Sequence, residues 1–187
     1  MVCGWFIIAC WIIFVLYWTV SAWSVKAAAE RQSWTGIVAH RLPILAGAFL
    51  LFCPRLPGLL SRELVLHTGI LQLQGAVICG LGLLAAVWSR KVLADNWSST
   101  VTFKQGHKLV EQGPYRFVRH PIYTSILIMV LGTALASNRL AALPALVFYF
   151  AGFWIKLKQE EKLLLRHFPA EYPAYQSRVK ALVPFVL

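Results

Sequence analysis

The densest polar chemistry in the chain lies in Gly106-His107-Lys108-Leu109-Val110-Glu111-Gln112-Gly113-Pro114-Tyr115-Arg116-Phe117-Val118-Arg119-His120-Pro121-Ile122-Tyr123. Arg119, His120 and Tyr123 bring a guanidinium, an imidazole and a phenol together within five residues. Pro121 opens an apolar run, where its missing N–H is no loss because the first N–H groups of a helix have no internal partner. Cationic side chains beside such free N–H groups suit an anionic group. Composition alone leaves a second reading open, in which Arg116 and Arg119 meet lipid phosphates while Tyr115 and Tyr123 anchor at a membrane interface. Further on, the stretch from Lys156 to Phe168 is a good helix former. It carries Glu160-Glu161, and Lys156 four residues before Glu160 is the weaker orientation for a helical ion pair, which leaves Glu160 available for a ligand. Lys158, Lys162 and Arg166 repeat at i,i+4 and read as a face against lipid phosphates. Nucleotide-loop, zincin and nucleophile-elbow patterns are absent. His40 and His67 stand alone, and Cys3, Cys10, Cys53 and Cys79 lack C-x-x-C spacing, so no metal centre or disulfide frame is expected.

A membrane must position these residues. Of 187 residues, 59% are hydrophobic and 13% charged, against about 25% charged in soluble domains. Five apolar runs, at about 3–25, 41–60, 64–88, 122–136 and 140–155, read as spans of an all-α polytopic protein forming one domain over 1–187. The first lacks the flanks of a removable signal peptide. Gly69, Gly75, Gly80 and Gly82 offer the third run a flat surface for close helix packing. Ser137-Asn138-Arg139 reads as a tight turn between antiparallel helices. Counting basic residues by alternate loops puts fifteen on one side and three on the other. The positive-inside rule then places the N-terminus outside and the C-terminus in the cytoplasm, with the segments 89–121 and 156–187 on the same face. The membrane would be the inner membrane of a prokaryote or the endoplasmic reticulum of a eukaryote. The net charge of +11 belongs with those loops and anionic headgroups, and no nucleic-acid motif competes with that reading.

Taken in order, His107-x-Leu109-Val110, Gly113-x-Tyr115, Arg119-His120-Pro121-x-Tyr123, Glu160-Glu161, Phe168, Glu171-Tyr172 and Tyr175 resemble the isoprenylcysteine carboxyl methyltransferase family. The resemblance runs from Asn96-Trp97 to Pro184, while the N-terminal spans match in character only. It implies an integral membrane enzyme that uses S-adenosylmethionine without a Rossmann domain, its cofactor pocket formed on the cytosolic side by 89–121 and the C-terminal tail. By the family pattern, His107, Leu109 and Val110 would hold the adenosine part. Tyr115, His120, Pro121 and Tyr123 would line the methionine part with Arg119, and Glu160 beside Glu161 would receive the ammonium group. The acceptor implied is a small lipophilic molecule: an isoprenylcysteine carboxylate, or another isoprenoid, lipid or thiol.

Two positions depart from the pattern. Lys156 stands where the family has an arginine near the acceptor carboxylate, which keeps the charge but loses the planar two-point grip. A glutamine position falls among Ser98-Ser99-Thr100. Lys156 is therefore expected to orient an acidic acceptor, and no catalytic base is assigned, since a carboxylate or thiolate acceptor needs none. Two other classes are weighed. Sterol and steroid reductases resemble this family over similar C-terminal motifs and use NADPH, and a non-enzymatic membrane module would bind neither cofactor.

Overall fold

The computed structural model describes residues 2–22, 28–30, 33–64, 69–94, 103–104 and 109–186. Six α-helices dominate them: α1 (Val2–Ala22), α2 (Trp34–Phe52), α3 (Gly69–Leu93), α4 (Pro121–Ser137), α5 (Ala142–His167) and α6 (Glu171–Arg178). Two short strands, Ala28–Glu30 and Phe103–Lys104, pair antiparallel between α1 and α2 on one side of the sequence and α3 and α4 on the other. The helices α1, α2 and α3 are long and apolar enough to cross a membrane, and α4 is a shorter apolar helix. Large apolar side chains such as Trp5, Ile12, Leu45, Phe49, Leu73 and Leu84 point outward from α1, α2 and α3, as helices do when lipid is their solvent. The protein is an all-α membrane protein.

Helix bounds differ from the apolar runs where polar residues do structural work. The run at 41–60 becomes Trp34–Phe52. Ser33 caps the new start, its side chain accepting from the Gly36 N–H at 3.2 Å. Leu59 and Leu60 leave the helix for a separate 3-10 turn, Gly58–Ser61. The run at 64–88 shifts to Gly69–Leu93 and takes in Arg90, which is buried and donates to the carbonyls of Ser21 at 3.0 Å and Ala94 at 2.7 Å. Arg90 thus satisfies free carbonyls at the ends of α1 and α3, the groups a helix C-terminus leaves unpaired. At the opposite end of the bundle Arg139 does the same for α2, donating to Cys53 O and Leu51 O at 2.7 Å each. The α4–α5 turn is made by Asn138 in the left-handed conformation, φ 51°.

Packing is built on small residues. A Cβ on Gly75 would lie 2.4 Å from Gly132 O, and one on Gly82 2.8 Å from Met129 N, so α3 and α4 meet backbone to backbone. A second close pair is α2 and α5, where Gly47 faces Tyr149 and Gly152 faces Ile44 and the carbonyl of His40. Of the four glycines expected to pack, Gly80 meets only the Phe6 ring and Gly69 faces open space. Between the two pairs lies the main apolar core, including Ile122, Tyr123, Ile126 and Val130 from α4 and Ala145, Tyr149, Phe153 and Leu157 from α5.

Candidate functional site

The fifth helix does not stop at the end of its apolar run. It continues unbroken through Lys156 to His167, so the stretch expected as a tail helix and the last span are one element. Along it Tyr149, Phe153, Leu157 and Glu161 form a buried row at i,i+4. The neighbouring row is Gly152, Lys156 and Glu160. The polar end of α5 therefore stands beside the start of α4, where His120 is the N-cap residue and Pro121 the first helical residue. Because the His120 side chain makes no capping bond, it is free to turn towards α5.

There the side chains converge. The imidazole of His120 lies between two carboxylates, with Nδ1 3.6 Å from Glu160 Oε2 and Nε2 3.4 Å from Glu161 Oε1. Its ring stacks on Tyr123 at 5.5 Å with planes 6° apart, and Tyr123 stacks in turn on Phe153 at 5.1 Å. The Tyr123 hydroxyl donates to Glu160 Oε1. Lys156 Nζ lies 5.2 Å from the centre of the Tyr123 ring, within cation–π range. Arg119 donates through Nε at 3.0 Å and Nη2 at 2.5 Å to Glu161 Oε1, and through Nη1 to the carbonyl of Val179.

A C-terminal strap holds the loop in register. Val118 and Lys180 form a parallel bridge, Arg119 N donates to Lys180 O at 2.8 Å and His120 N to Ala181 O at 3.0 Å. Thr124 Oγ1 donates to Leu182 O at 2.8 Å and the Tyr175 hydroxyl to Tyr115 O at 2.6 Å. Gly113, φ 59°, makes the turn that delivers Tyr115 to this strap.

Burial alone would raise the pKa of Glu161. The nearby His120 imidazole and the hydrogen bonds from Arg119 outweigh it and hold the carboxyl at about 2. Glu160 is likewise held below its usual range, burial being overcome by His120, Lys156 and Tyr123. Burial disfavours a charged His120, yet the two glutamates push its value up. The Tyr115 phenol is raised by burial and by the nearby Glu160 carboxylate. The site is thus a buried set of alternating charges around one imidazole.

Of the residues predicted from sequence, Arg119, His120, Pro121, Tyr123, Lys156, Glu160 and Glu161 come together in this cluster, and Tyr115 is within electrostatic reach of Glu160. Leu109 and Val110 are half-buried in the stretch leading to Gly113. His107, Asn96-Trp97 and Ser98-Ser99-Thr100 lie outside the described residues. Sequence reasoning passed over Gln159, which reaches the start of α2 by donating to Gly36 O at 3.3 Å, the same carbonyl that His40 Nδ1 approaches at 2.9 Å. No group of His, Cys, Asp or Glu that could hold a metal occurs among the described residues.

An apolar helical bundle that gathers paired glutamates, a histidine and a stacked tyrosine where two of its helices meet defines a membrane protein with a buried polar cluster at one end. The chain belongs to the phospholipid methyltransferase family, whose model matches residues 71–171. The likeness read from the motifs is borne out among curated proteins. The chain is similar to protein-S-isoprenylcysteine O-methyltransferase B of Arabidopsis thaliana, 36% identical over 84 residues, covering 44% of this chain and 43% of that protein. It is also 28% identical over 124 residues to the protein-S-isoprenylcysteine O-methyltransferase of Saccharomyces cerevisiae, covering 65% and 52%. A third relative is the cobalt-zinc-cadmium resistance protein CzcN of Cupriavidus metallidurans, 31% identical over 85 residues, covering 45% and 39%. The match spans about half the length, or less, of these relatives.

Proposed function

We propose that this chain is an S-adenosylmethionine-dependent methyltransferase that modifies a small lipophilic acceptor at the membrane. The observation that carries the reading is the part-exposed carboxylate of Glu160, held between the His120 imidazole and the Tyr123 hydroxyl where α4 and α5 meet. The amino-acid end of the cofactor is a zwitterion, and a carboxylate beside an imidazole drawn towards its charged form suits both of its charges. The donor set fits.

When bound, the cofactor supplies a methyl group activated on a sulfonium. Glu160 would hold the ammonium group, the charge of the His120 ring would draw the carboxylate, and Tyr115 and Tyr123 would line the methionine part. His107, Leu109 and Val110 take the adenosine. Lys156, next to Tyr123 and one helical turn nearer the apolar end than Glu160, orients an acidic acceptor for in-line attack while the aromatic core beneath excludes water. The acceptor class is an isoprenylcysteine carboxylate or a related isoprenoid, lipid or thiol. In this reading the face bearing the site is cytoplasmic, as the excess of basic residues in its loops supports.

Calorimetric titration of the detergent-solubilised protein with S-adenosylmethionine, S-adenosylhomocysteine and NADPH tests the assignment. Saturable binding of the first two is expected. Binding of NADPH alone would transfer the chain to the reductase class, and binding of none would leave a membrane module.

A further inference from the structure

Adjacent residues of an α-helix point about 100° apart, and the two glutamates of α5 have different surroundings in consequence. The Glu160 side chain keeps 23% of its surface exposed, that of Glu161 only 5%. Glu161 Oε1 receives both Nε and Nη2 of Arg119, and its Oε2 lies 3.6 Å from Lys158 Nζ. The third nitrogen of the guanidinium is engaged by the carbonyls of Val179 and, at 3.5 Å, Gln176. A ligand carboxylate could reach Arg119, or a ligand ammonium Glu161, only by breaking this buried pair and loosening the C-terminal strap.

The contact that remains for Glu161 is His120. Nε2 of that ring is buried and has no hydrogen-bond partner among the described residues, and Glu161 Oε1 is 3.4 Å from it. We propose that Glu161 and Arg119 form a positioning pair for His120, holding its ring charged with Nδ1 turned to Glu160, and that neither touches the ligand. A carboxylate at Nε2 stabilises the imidazolium, and Tyr123 fixes the ring plane by stacking. Glu160 and Glu161 from α5 and Tyr123 from α4 face the imidazole, while Lys156 and Tyr115 act on Glu160, and Arg119 from the loop and Tyr172 from α6 act on Glu161. Burial disfavours the charged ring, but the two carboxylates outweigh that cost, so the ring holds its proton to higher pH than a free imidazole. This deepens the proposed function and rests on it for the ligand: the paired glutamates divide the work, Glu160 for the ammonium, Glu161 for the residue that meets the carboxylate.

The test separates the two ideas. Nitrogen-15 NMR of imidazole-labelled, detergent-solubilised protein without any cofactor reads the protonation of His120, its signal being identified by its loss in His120→Gln. The wild-type ring is expected to remain an imidazolium above pH of about 6.5, the ordinary midpoint. Glu161→Gln is expected to lower its midpoint by about 1–3 pH units, the effect of a charge a few ångströms away. Affinity for S-adenosylhomocysteine in that variant should be near wild type below the new midpoint and fall above it. An unchanged midpoint overturns the pair, and so does loss of binding at every pH, which would make Glu161 a direct ligand. If Glu161→Gln does not fold, a wild-type His120 already neutral at pH 6.5 overturns the proposal by itself. Wild-type protein that binds no S-adenosylhomocysteine refutes the cofactor reading and leaves the titration of His120 to decide the pair.

Discussion

Replacing Gly132 by alanine should loosen the bundle, and replacing Gly80 should not. Both glycines lie inside helices, so the gain in helix propensity, about 1 kcal/mol, is common to the two changes and cancels in their comparison. A Cβ at Gly132 would sit 2.5 Å from both Cys79 N and Gly75 O, which are backbone atoms of α3 and cannot swing aside. At Gly80 the nearest atom is the far end of the Phe6 ring at 3.3 Å, which can. Restoring contact at about 3.5 Å requires α3 and α4 to part by about 1 Å along a seam that also includes Gly75 and Gly82. Overpacking of that kind costs about 1–3 kcal/mol. Unfolding in mixed detergent with increasing dodecyl sulfate, followed by tryptophan fluorescence, should place Gly132→Ala below Gly80→Ala by that margin. Equal stability, or a more stable Gly132→Ala, would refute the argument that backbone approach holds these two helices.

Glu160→Gln removes a charged partner of the ammonium group, worth about 1.5–3 kcal/mol, and should weaken S-adenosylhomocysteine binding by about 10- to 150-fold; unchanged affinity by calorimetry would remove Glu160 from the site. Lys156→Ala should lower methyl transfer to an acidic acceptor far more than cofactor affinity, and full turnover in that variant would exclude it from the acceptor side. Arg139→Ala frees two carbonyls of α2 at the end of the bundle away from the site, so dodecyl sulfate unfolding should begin earlier while cofactor affinity is retained. Glu161 sits at about 2 in the folded protein against an ordinary 4.5. Its stabilising contribution is present above pH 4.5 and lost as the pH falls towards 2, and an acid unfolding profile that Glu161→Gln leaves unaltered would contradict this.

Some of this arrangement is written locally in the chain and some is not. The apolar runs mark the helices because lipid-facing segments must be apolar along their whole length, and Pro121 and Asn138 mark the bounds of α4 by backbone chemistry alone. Hydropathy misplaces the start of α2 and the end of α3 because it counts His40 and Arg90 as polar and stops at them. In the fold their polar groups are satisfied inside: Arg90 by the carbonyls of two helix ends, His40 by Gly36. The same bias splits α5 at Lys156, although the buried row Tyr149, Phe153, Leu157 and Glu161 runs across that point at constant spacing. Read that way, the row would have assigned Glu161 to the interior. Motif order brings the candidate residues together on paper, but the pairing of Arg119 with Glu161 depends on how α4 and α5 are juxtaposed and on where the strap crosses them.

The continuity of α5 matters for chemistry as well as for topology. A break at Lys156 would let the acceptor side and the cofactor side move independently, each side chain carried by its own segment. On one rigid helix, Phe153, Lys156 and Glu160 are separated by three and four residues, and the rise of about 1.5 Å per residue sets Lys156 about 6 Å nearer the apolar end of the bundle than Glu160. Tyr123 of α4 spans that interval, its ring facing Phe153 and lying near Lys156 while its hydroxyl holds Glu160. In the proposed reading, an acceptor that places its acidic group at Lys156 would meet Tyr123 about one helical turn from Glu160. On that reading, alignment between a water-soluble donor and a lipophilic acceptor would in this way be a property of a single helix crossing from apolar to polar surroundings.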